Sequence, residues 1–222
     1  MTLNEKTKLL NQGLAILNLD LGPTAIDQLG VYCDELIKWN RKINLVGKAE
    51  LKELIETHFL DSLTLLPLIT ASPLADIGTG AGFPGLVLKI ARPELAVILV
   101  EPRQKRVSFL NHIIRTLGLK EIEVRCGRLE KDSNLVAGKE LSAPLITSRA
   151  FTSVADFLAL ADPINPPGGK ILCMKGPRAE EEIKQWQEEQ PISPYRLSQT
   201  ISTALPFSGN SRNLLIFTKQ DD

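Results

Sequence analysis

The stretch Asp76-Ile77-Gly78-Thr79-Gly80-Ala81-Gly82-Phe83-Pro84-Gly85 sets four glycines within eight residues, with a carboxylate two residues before the first. A short apolar run from Leu74 leads into it, and a helix-like pattern (Leu86, Val87, Leu88, Ile90) follows, so it is a strand-to-helix turn. Glycines there allow positive φ and let a bulky ligand approach the main chain. Pro84 suits the first turn of the next helix, where its missing N–H is no loss. The chemistry this permits is the cradling of a nucleotide cofactor. Gly80 to Gly85 fits the dinucleotide fingerprint G-x-G-x-x-G, and Glu101 lies about 20 residues on, as that fingerprint asks. The longer spelling, Asp76-x-Gly78-x-Gly80-x-Gly82, fits another cofactor better. A carboxylate beside an anionic pyrophosphate is unfavourable, whereas it can accept hydrogen bonds, directly or through water, from a cationic amino-acid end.

That longer spelling resembles the motif of S-adenosylmethionine-dependent methyltransferases with a Rossmann-like sheet. The apolar run Ala96 to Val100 reads as a buried parallel strand ending at Glu101. A carboxylate at that end can hold both ribose hydroxyls, or cap the next helix. Gly127-Arg128-Leu129-Glu130 follows a third strand, where methyltransferases of this build hold the adenine. An NAD-dependent oxidoreductase is the competing class. It lacks a Tyr-x-x-x-Lys or histidine–acid arrangement here, and Asp76 argues against it.

The elements that must position these residues follow one rhythm. Helices are expected over residues 3 to 18 (Leu9, Leu10, Leu14, Ile16 and Leu17 inward), from Pro23 or Thr24 (Ile26, Leu29, Tyr32, Cys33, Leu36 and Ile37 inward), and from Leu51 to Leu66. Between the second and third lies Lys38-Trp39-Asn40-Arg41-Lys42-Ile43-Asn44-Leu45-Val46-Gly47-Lys48, with four cations and no anion. It is either a basic helix end or a phosphate-contacting loop, in which Asn40 and Asn44 bridge backbone segments. From residue 74 strands alternate with helices: 74–77, 96–100, 122–126, 145–148, 170–174, then 195–203 and 213–218, with helices over 103–117, 153–160 and 179–189. The expected fold is α/β, a mostly parallel seven-stranded sheet with one antiparallel strand and helices on both faces. Residues 1–70 form an N-terminal helical cap and 71–222 the cofactor-binding domain, packed as one unit.

Composition narrows the class. The chain has 222 residues, 43% apolar and 23% charged, with 26 basic against 26 acidic side chains. A nucleic-acid partner therefore needs a local basic patch. Three scattered cysteines, no C-x-x-C and two histidines disfavour a metal site, so none is expected. The start lacks a signal-peptide form, and Asp61 interrupts the apolar run from Phe59 to Ile69. A reduced, cytoplasmic, monomeric protein with no membrane partner is the expectation.

Taken together, Trp39-Asn40-x-x-Ile43-Asn44-Leu45, His58-x-x-Asp61-Ser62-Leu63, Asp76 to Gly85, Lys105-Arg106-Val107-x-Phe109-Leu110, Ser148-Arg149-Ala150-Phe151 and Met174-Lys175-Gly176 resemble the bacterial 16S ribosomal RNA guanine-N7 methyltransferases, the family also called glucose-inhibited division protein B. The resemblance runs from about Trp39 to Phe217, and Gly-Phe-Pro-Gly and Ser-Arg-Ala-Phe are its most specific marks. It implies a class I methyltransferase that uses S-adenosylmethionine to methylate a guanine N7 in the decoding-region loop of 16S ribosomal RNA. With the motif residues Asp76, Gly80 and Gly82, it implies cofactor contacts at Gly78, Phe83, Glu101, Pro102, Arg103, Leu129, Glu130 and Arg149. Thr57 stands where the family often has arginine. Guanine N7 is already nucleophilic at neutral pH, so no catalytic acid or base is expected. Asn40, Arg41, Lys42, His58, Arg106, Lys175 and Arg212 are the RNA-binding candidates, with Lys48, Lys105 and Arg178 as further cations. Asp61 can orient His58 or cap a helix. The neutral overall charge points to the assembled small subunit, or a late precursor, as the substrate rather than naked RNA. A methyltransferase with another RNA, protein or small-molecule acceptor is the nearest alternative.

Overall fold

The computed structural model describes residues 3–149 and 153–220, so Ala150 and Phe151 of the Ser-Arg-Ala-Phe motif lie outside the described residues. Helices α1 (Leu3–Ile16) and α2 (Pro23–Ile43) open the chain. A helical run α3 (51–63) follows, built of α-helix (Leu51–Leu54), a π-helical turn (Ile55–Leu60) and α-helix (Asp61–Leu63). Then come β1 (Leu74–Ile77), α4 (Gly85–Ala91), β2 (Val97–Glu101), α5 (Gln104–Leu117) and β3 (Ile122–Cys126). A two-stranded hairpin (Leu135–Val136 with Lys139–Glu140) precedes β4 (Leu145–Arg149), α6 (Val154–Ala161), β5 (Lys170–Lys175), α7 (Ala179–Glu189), β6 (Tyr195–Ala204) and β7 (Ser211–Lys219).

The strand order is β3-β2-β1-β4-β5-β7-β6, parallel throughout except β7, which runs antiparallel to both neighbours. Buried on both faces, the central strands divide their side chains by alternation. Leu74, Leu99, Leu172 and Leu214 face a cluster shared with α1 to α5, while Ala75, Val100, Ile171 and Leu215 face one shared with α6 and α7. Order reverses at β1, so the carboxyl ends of β1, β2 and β4 border a crevice, where open α/β sheets bind ligands.

Two local expectations need correction, and one open reading is resolved. Ile16 is 57% exposed, because α1 ends there and leaves its last turn beyond the packed face. Of the two readings of the basic stretch from Lys38, the helix end holds as far as Ile43, since Trp39 keeps the apolar side going, 5.5 Å from the Phe109 ring and 5.1 Å from His112. Only then does Asn44 turn the chain at φ 47°, and Asn40 Oδ1 accepts the Val46 N–H (2.9 Å) across the turn. The helix expected to reach Leu66 stops at Leu63, and Pro67 sits in a separate 3₁₀ turn, Leu66–Leu68.

The helical extension grips the glycine turn directly. Tyr32 on α2 donates its hydroxyl to the Ala81 carbonyl and stacks on Phe83 at 5.5 Å and 16°. Gly82, at φ +104°, has no room for more: an added Cβ would lie 2.6 Å from Tyr32 Oη and 2.9 Å from Leu86 Cβ. A Gly82→Ala protein is therefore expected to lose about 2–4 kcal/mol of stability from backbone strain plus overpacking. Urea denaturation checks this, and a loss below about 0.5 kcal/mol would contradict it.

Candidate functional site

Glu101 closes β2 at the crevice and is only 2% exposed. Its Oε2 accepts the Gly80 N–H (3.0 Å) and its Oε1 the Arg103 N–H (2.9 Å), so one carboxylate ties the glycine turn to the start of α5. Arg106 Nη1 stands 3.8 Å from Oε2. Each carboxylate oxygen keeps a second lone pair for a ligand. A cavity of about 370 Å³ opens beside it, and Gly78, Glu101, Pro102, Arg103, Arg106, Gly127 and Leu129 are among its walls. Five residues expected to touch a cofactor thus share one cleft: Gly78, Glu101, Pro102, Arg103 and Leu129.

Asp76, at the end of β1, is fully buried. Its Oδ2 accepts the Thr79 hydroxyl (2.6 Å) and the Gly85 N–H (2.8 Å), which closes the glycine turn, while Oδ1 has no partner among the described residues. Burial pushes its carboxyl up to about 6, against the pull of those two donors and of Arg149. An orphaned buried carboxylate oxygen is costly, and no described residue satisfies this one. The native state holds the Asp76 proton more tightly than the unfolded chain does. Stability from this group is therefore present at low pH and lost as pH rises through about 6. Relative to wild type, an Asp76→Asn protein is expected to gain about 2–2.5 kcal/mol of stability between pH 4 and pH 8. Denaturation of both proteins across that range measures it, and a pH-independent difference would contradict it.

A second cavity, of about 670 Å³, lies against the ends of β4 and β5 and the π-helical turn. His58, Asp61, Ser148, Arg149, Lys175, Arg178 and Arg212 line it. Arg149 Nη1 donates to the Thr57 carbonyl (2.6 Å), Nη2 lies 2.7 Å from His58 Nδ1, and the guanidinium stands 5.1 Å from the Phe83 ring centroid. Asp61, 2% exposed, holds Arg212 Nε at 2.8 Å and Arg149 Nη1 at 3.7 Å. Burial raises its carboxyl even so, against both guanidiniums. Asp61 makes no side-chain contact with His58 among the described residues; Arg149 stands between the two. Thr57 turns its hydroxyl back onto the Glu53 carbonyl (2.7 Å), so no basic group stands there. Lys175 pairs with Glu182 at 2.6 Å.

Asn40, Arg41, Lys48 and Arg106 line a third cavity, of about 690 Å³, beyond the end of α2. Arg106 borders both this space and the Glu101 cleft. The RNA candidates thus fall in two groups, His58, Lys175 and Arg212 in one and Asn40, Arg41 and Arg106 in the other, with the cleft adjoining through Arg106. Asp76, Gly80, Gly82, Phe83, Glu130 and Lys42 line none of these three spaces. The Phe83 ring is instead packed between Tyr32 and His58, stacked on the latter at 5.0 Å and 24°. Sequence reading took Tyr32 only for core, because its helical spacing carries no sign of the turn it clamps.

The same build is found in known proteins. A family model described as GidB, rRNA small subunit methyltransferase G, matches residues 25–214. A Desulfotalea psychrophila protein described as ribosomal RNA small subunit methyltransferase G is 43% identical over 209 residues, 93% of this chain and 95% of the relative. A Myxococcus xanthus protein of the same description is 38% identical over 203 residues, 90% and 89% of the two chains. In fold, the chain resembles an O-methyltransferase from Bacillus cereus solved in complex with SAH (TM-score 0.57, 17% identity, 85% of this chain and 91% of that one). A methyltransferase from Pyrococcus furiosus gives the same score at 15% identity, over 85% and 95%. These two likenesses establish the class I methyltransferase fold. By the family model and by relatives that match over nearly their whole length, the chain belongs to the rRNA small subunit methyltransferase G family.

Proposed function

We infer that this protein transfers the methyl group of S-adenosylmethionine to N7 of a guanine in 16S ribosomal RNA. The observation that carries the reading is the convergence of Gly78, Glu101, Pro102, Arg103 and Leu129 on one cleft at the sheet's reversal point, in a chain of this family. The residues present suit the cofactor: Glu101 offers free lone pairs to the ribose hydroxyls, Leu129 and Pro102 an apolar wall for adenine, and the orphaned Asp76 Oδ1 an acceptor for the cationic amino-acid end. Bound there, it supplies an electrophilic methyl carbon to the N7 lone pair; the C–S bond's electrons return to sulfur, leaving S-adenosylhomocysteine and a cationic base. No proton moves, so the chain's task is to hold N7 in line with that carbon, with reacting atoms about 3–3.5 Å apart.

The cavity lined by His58, Arg149, Lys175 and Arg212 is the acceptor side, and Arg41, Lys48 and Arg106 extend the basic rim for the RNA backbone. Residues 1–70 act as a cap folded with residues 71–222, since α1 to α3 share one apolar cluster with the sheet. Among the described residues no helix is long and apolar enough to cross a membrane. The neutral net charge favours the assembled 30S particle, or a late precursor, as substrate. Mapping N7-methylguanosine in 16S RNA with and without the protein tests the reaction, and its absence from both would reject it. Labelled methyl transfer is expected to be at least about tenfold faster into 30S particles than into protein-free 16S RNA, the difference the particle's preformed loop makes to an acceptor that must be unstacked. Equal rates would reject the particle as substrate.

A further inference from the structure

His58 sits within the π-helical turn, and among the described residues its ring has one polar contact, Arg149 Nη2, 2.7 Å from Nδ1. A guanidinium carries N–H donors alone, so Nδ1 must accept, and the ring's one proton belongs to Nε2. Burial, and then the charge of Arg149, hold the imidazole at about 3, far below its ordinary value, so it stays neutral. Arg149 cannot turn away, being fixed by the Thr57 carbonyl and by Asp61, which Arg212 holds in turn. The ring is further pinned by its stack on Phe83. His58 is therefore a permanent donor at Nε2, with no partner for that N–H among the described residues, on the wall of the 670 Å³ cavity. Ser148 lines the same cavity, 5% exposed, and its Oγ also has no partner among the described residues.

We propose that His58 tells guanine from adenine at the acceptor, its Nε2–H donating to O6 of the target base. This rests on the guanine-N7 reading above. Both purines present N7; beside it guanine has the O6 acceptor and adenine the N6 amino donor. N7 itself must stay open to the methyl carbon. The guanine N1–H and 2-amino group are donors, which a fixed donor cannot read, and N3 accepts in both purines, so O6 is the acceptor that tells guanine from adenine. A donor that cannot take a second proton also never repels the cationic product. Ser148 can donate or accept, so it satisfies a base edge without choosing between the two.

The test uses the full-length protein and 30S particles rebuilt with 16S RNA carrying guanine, inosine or 2-aminopurine at the target. Inosine keeps O6 without the 2-amino group, and 2-aminopurine the reverse. Wild type is expected to methylate guanine and inosine within about tenfold of each other, and 2-aminopurine about 10²-fold more slowly in kcat/KM. A His58→Ala protein, shown to be folded by unchanged S-adenosylhomocysteine binding, should fall to the 2-aminopurine rate on guanine while its rate on 2-aminopurine stays within about threefold of wild type, since there the lost donor had no partner. His58→Gln, which keeps an amide N–H at similar reach, should recover part of the preference. Equal slowing of guanine and 2-aminopurine in His58→Ala would reduce His58 to a structural role and overturn the proposal. So would a wild type indifferent to the loss of O6. No transfer to guanine by wild type would instead remove the underlying reading, and the proposal with it.

Discussion

A Glu101→Ala protein is expected to bind S-adenosylhomocysteine about 10²-fold or more weakly than wild type while remaining folded. The carboxylate does two jobs from one position. It receives the Gly80 and Arg103 N–H groups, which sets the turn and the start of α5 against each other. Its remaining lone pairs face the cleft proposed for the ribose. A hydrogen bond to a charged group contributes about 1.5–3 kcal/mol, so two lost ribose contacts amount to roughly 3–6 kcal/mol. That converts to about 10²–10⁴ in affinity. The two orphaned backbone donors can rehydrate in the emptied cleft, so the cost to folding stays near 1–2 kcal/mol. Isothermal titration and urea denaturation separate the two effects. An affinity within threefold of wild type would mean the ribose lies elsewhere.

The second large effect concerns Asp61, whose removal leaves two guanidiniums facing one another. An Asp61→Ala protein should lose about 3–5 kcal/mol of stability, the usual consequence of stranding partners of a buried ion pair. For a chain of this length that is a fall in Tm of roughly 10 °C. The acceptor side should suffer as well, because Arg149 then loses the charge that holds it against His58. Removing Arg212 too relieves the repulsion, so Asp61→Ala/Arg212→Ala is expected to be more stable than Asp61→Ala alone. Additive losses in the pair would show that the two cations do not interact through Asp61.

Why these two residues differ in legibility is a matter of distance along the chain. Glu101 declares itself at the end of an apolar strand, about 20 residues past a glycine turn, and both features are local. Asp61 meets Arg212 across 151 residues, and Arg149 meets Thr57 across 92. Nothing in a local pattern announces either pairing. The sheet was readable because strands buried on both faces must be apolar throughout, as Val97 to Val100 are, and the antiparallel β7 follows from a closing hairpin. The π-helical turn was not, since one extra residue in a turn leaves the apolar spacing of Ile55, Phe59 and Leu63 intact. The Lys38–Lys48 stretch stayed open in sequence because its charge suits a loop as well as a helix end; Trp39, on the packed side, carries the helix to Ile43. The hairpin at 135–140 has strands of two residues, too short for any alternation to show. In the site, Asp76 was legible as an acid next to glycines; that one of its oxygens closes the turn and the other is left without a partner among the described residues is visible only in three dimensions.

The most direct measurement is a crystal structure grown with S-adenosylhomocysteine. The nucleoside should lie in the cleft between Gly78, Glu101 and Leu129, its two sugar hydroxyls on the Glu101 carboxylate and its ammonium group toward Asp76 Oδ1. Density for the ligand anywhere else, with Glu101 still closed on Gly80 and Arg103 and the cleft filled by side chains, would contradict it.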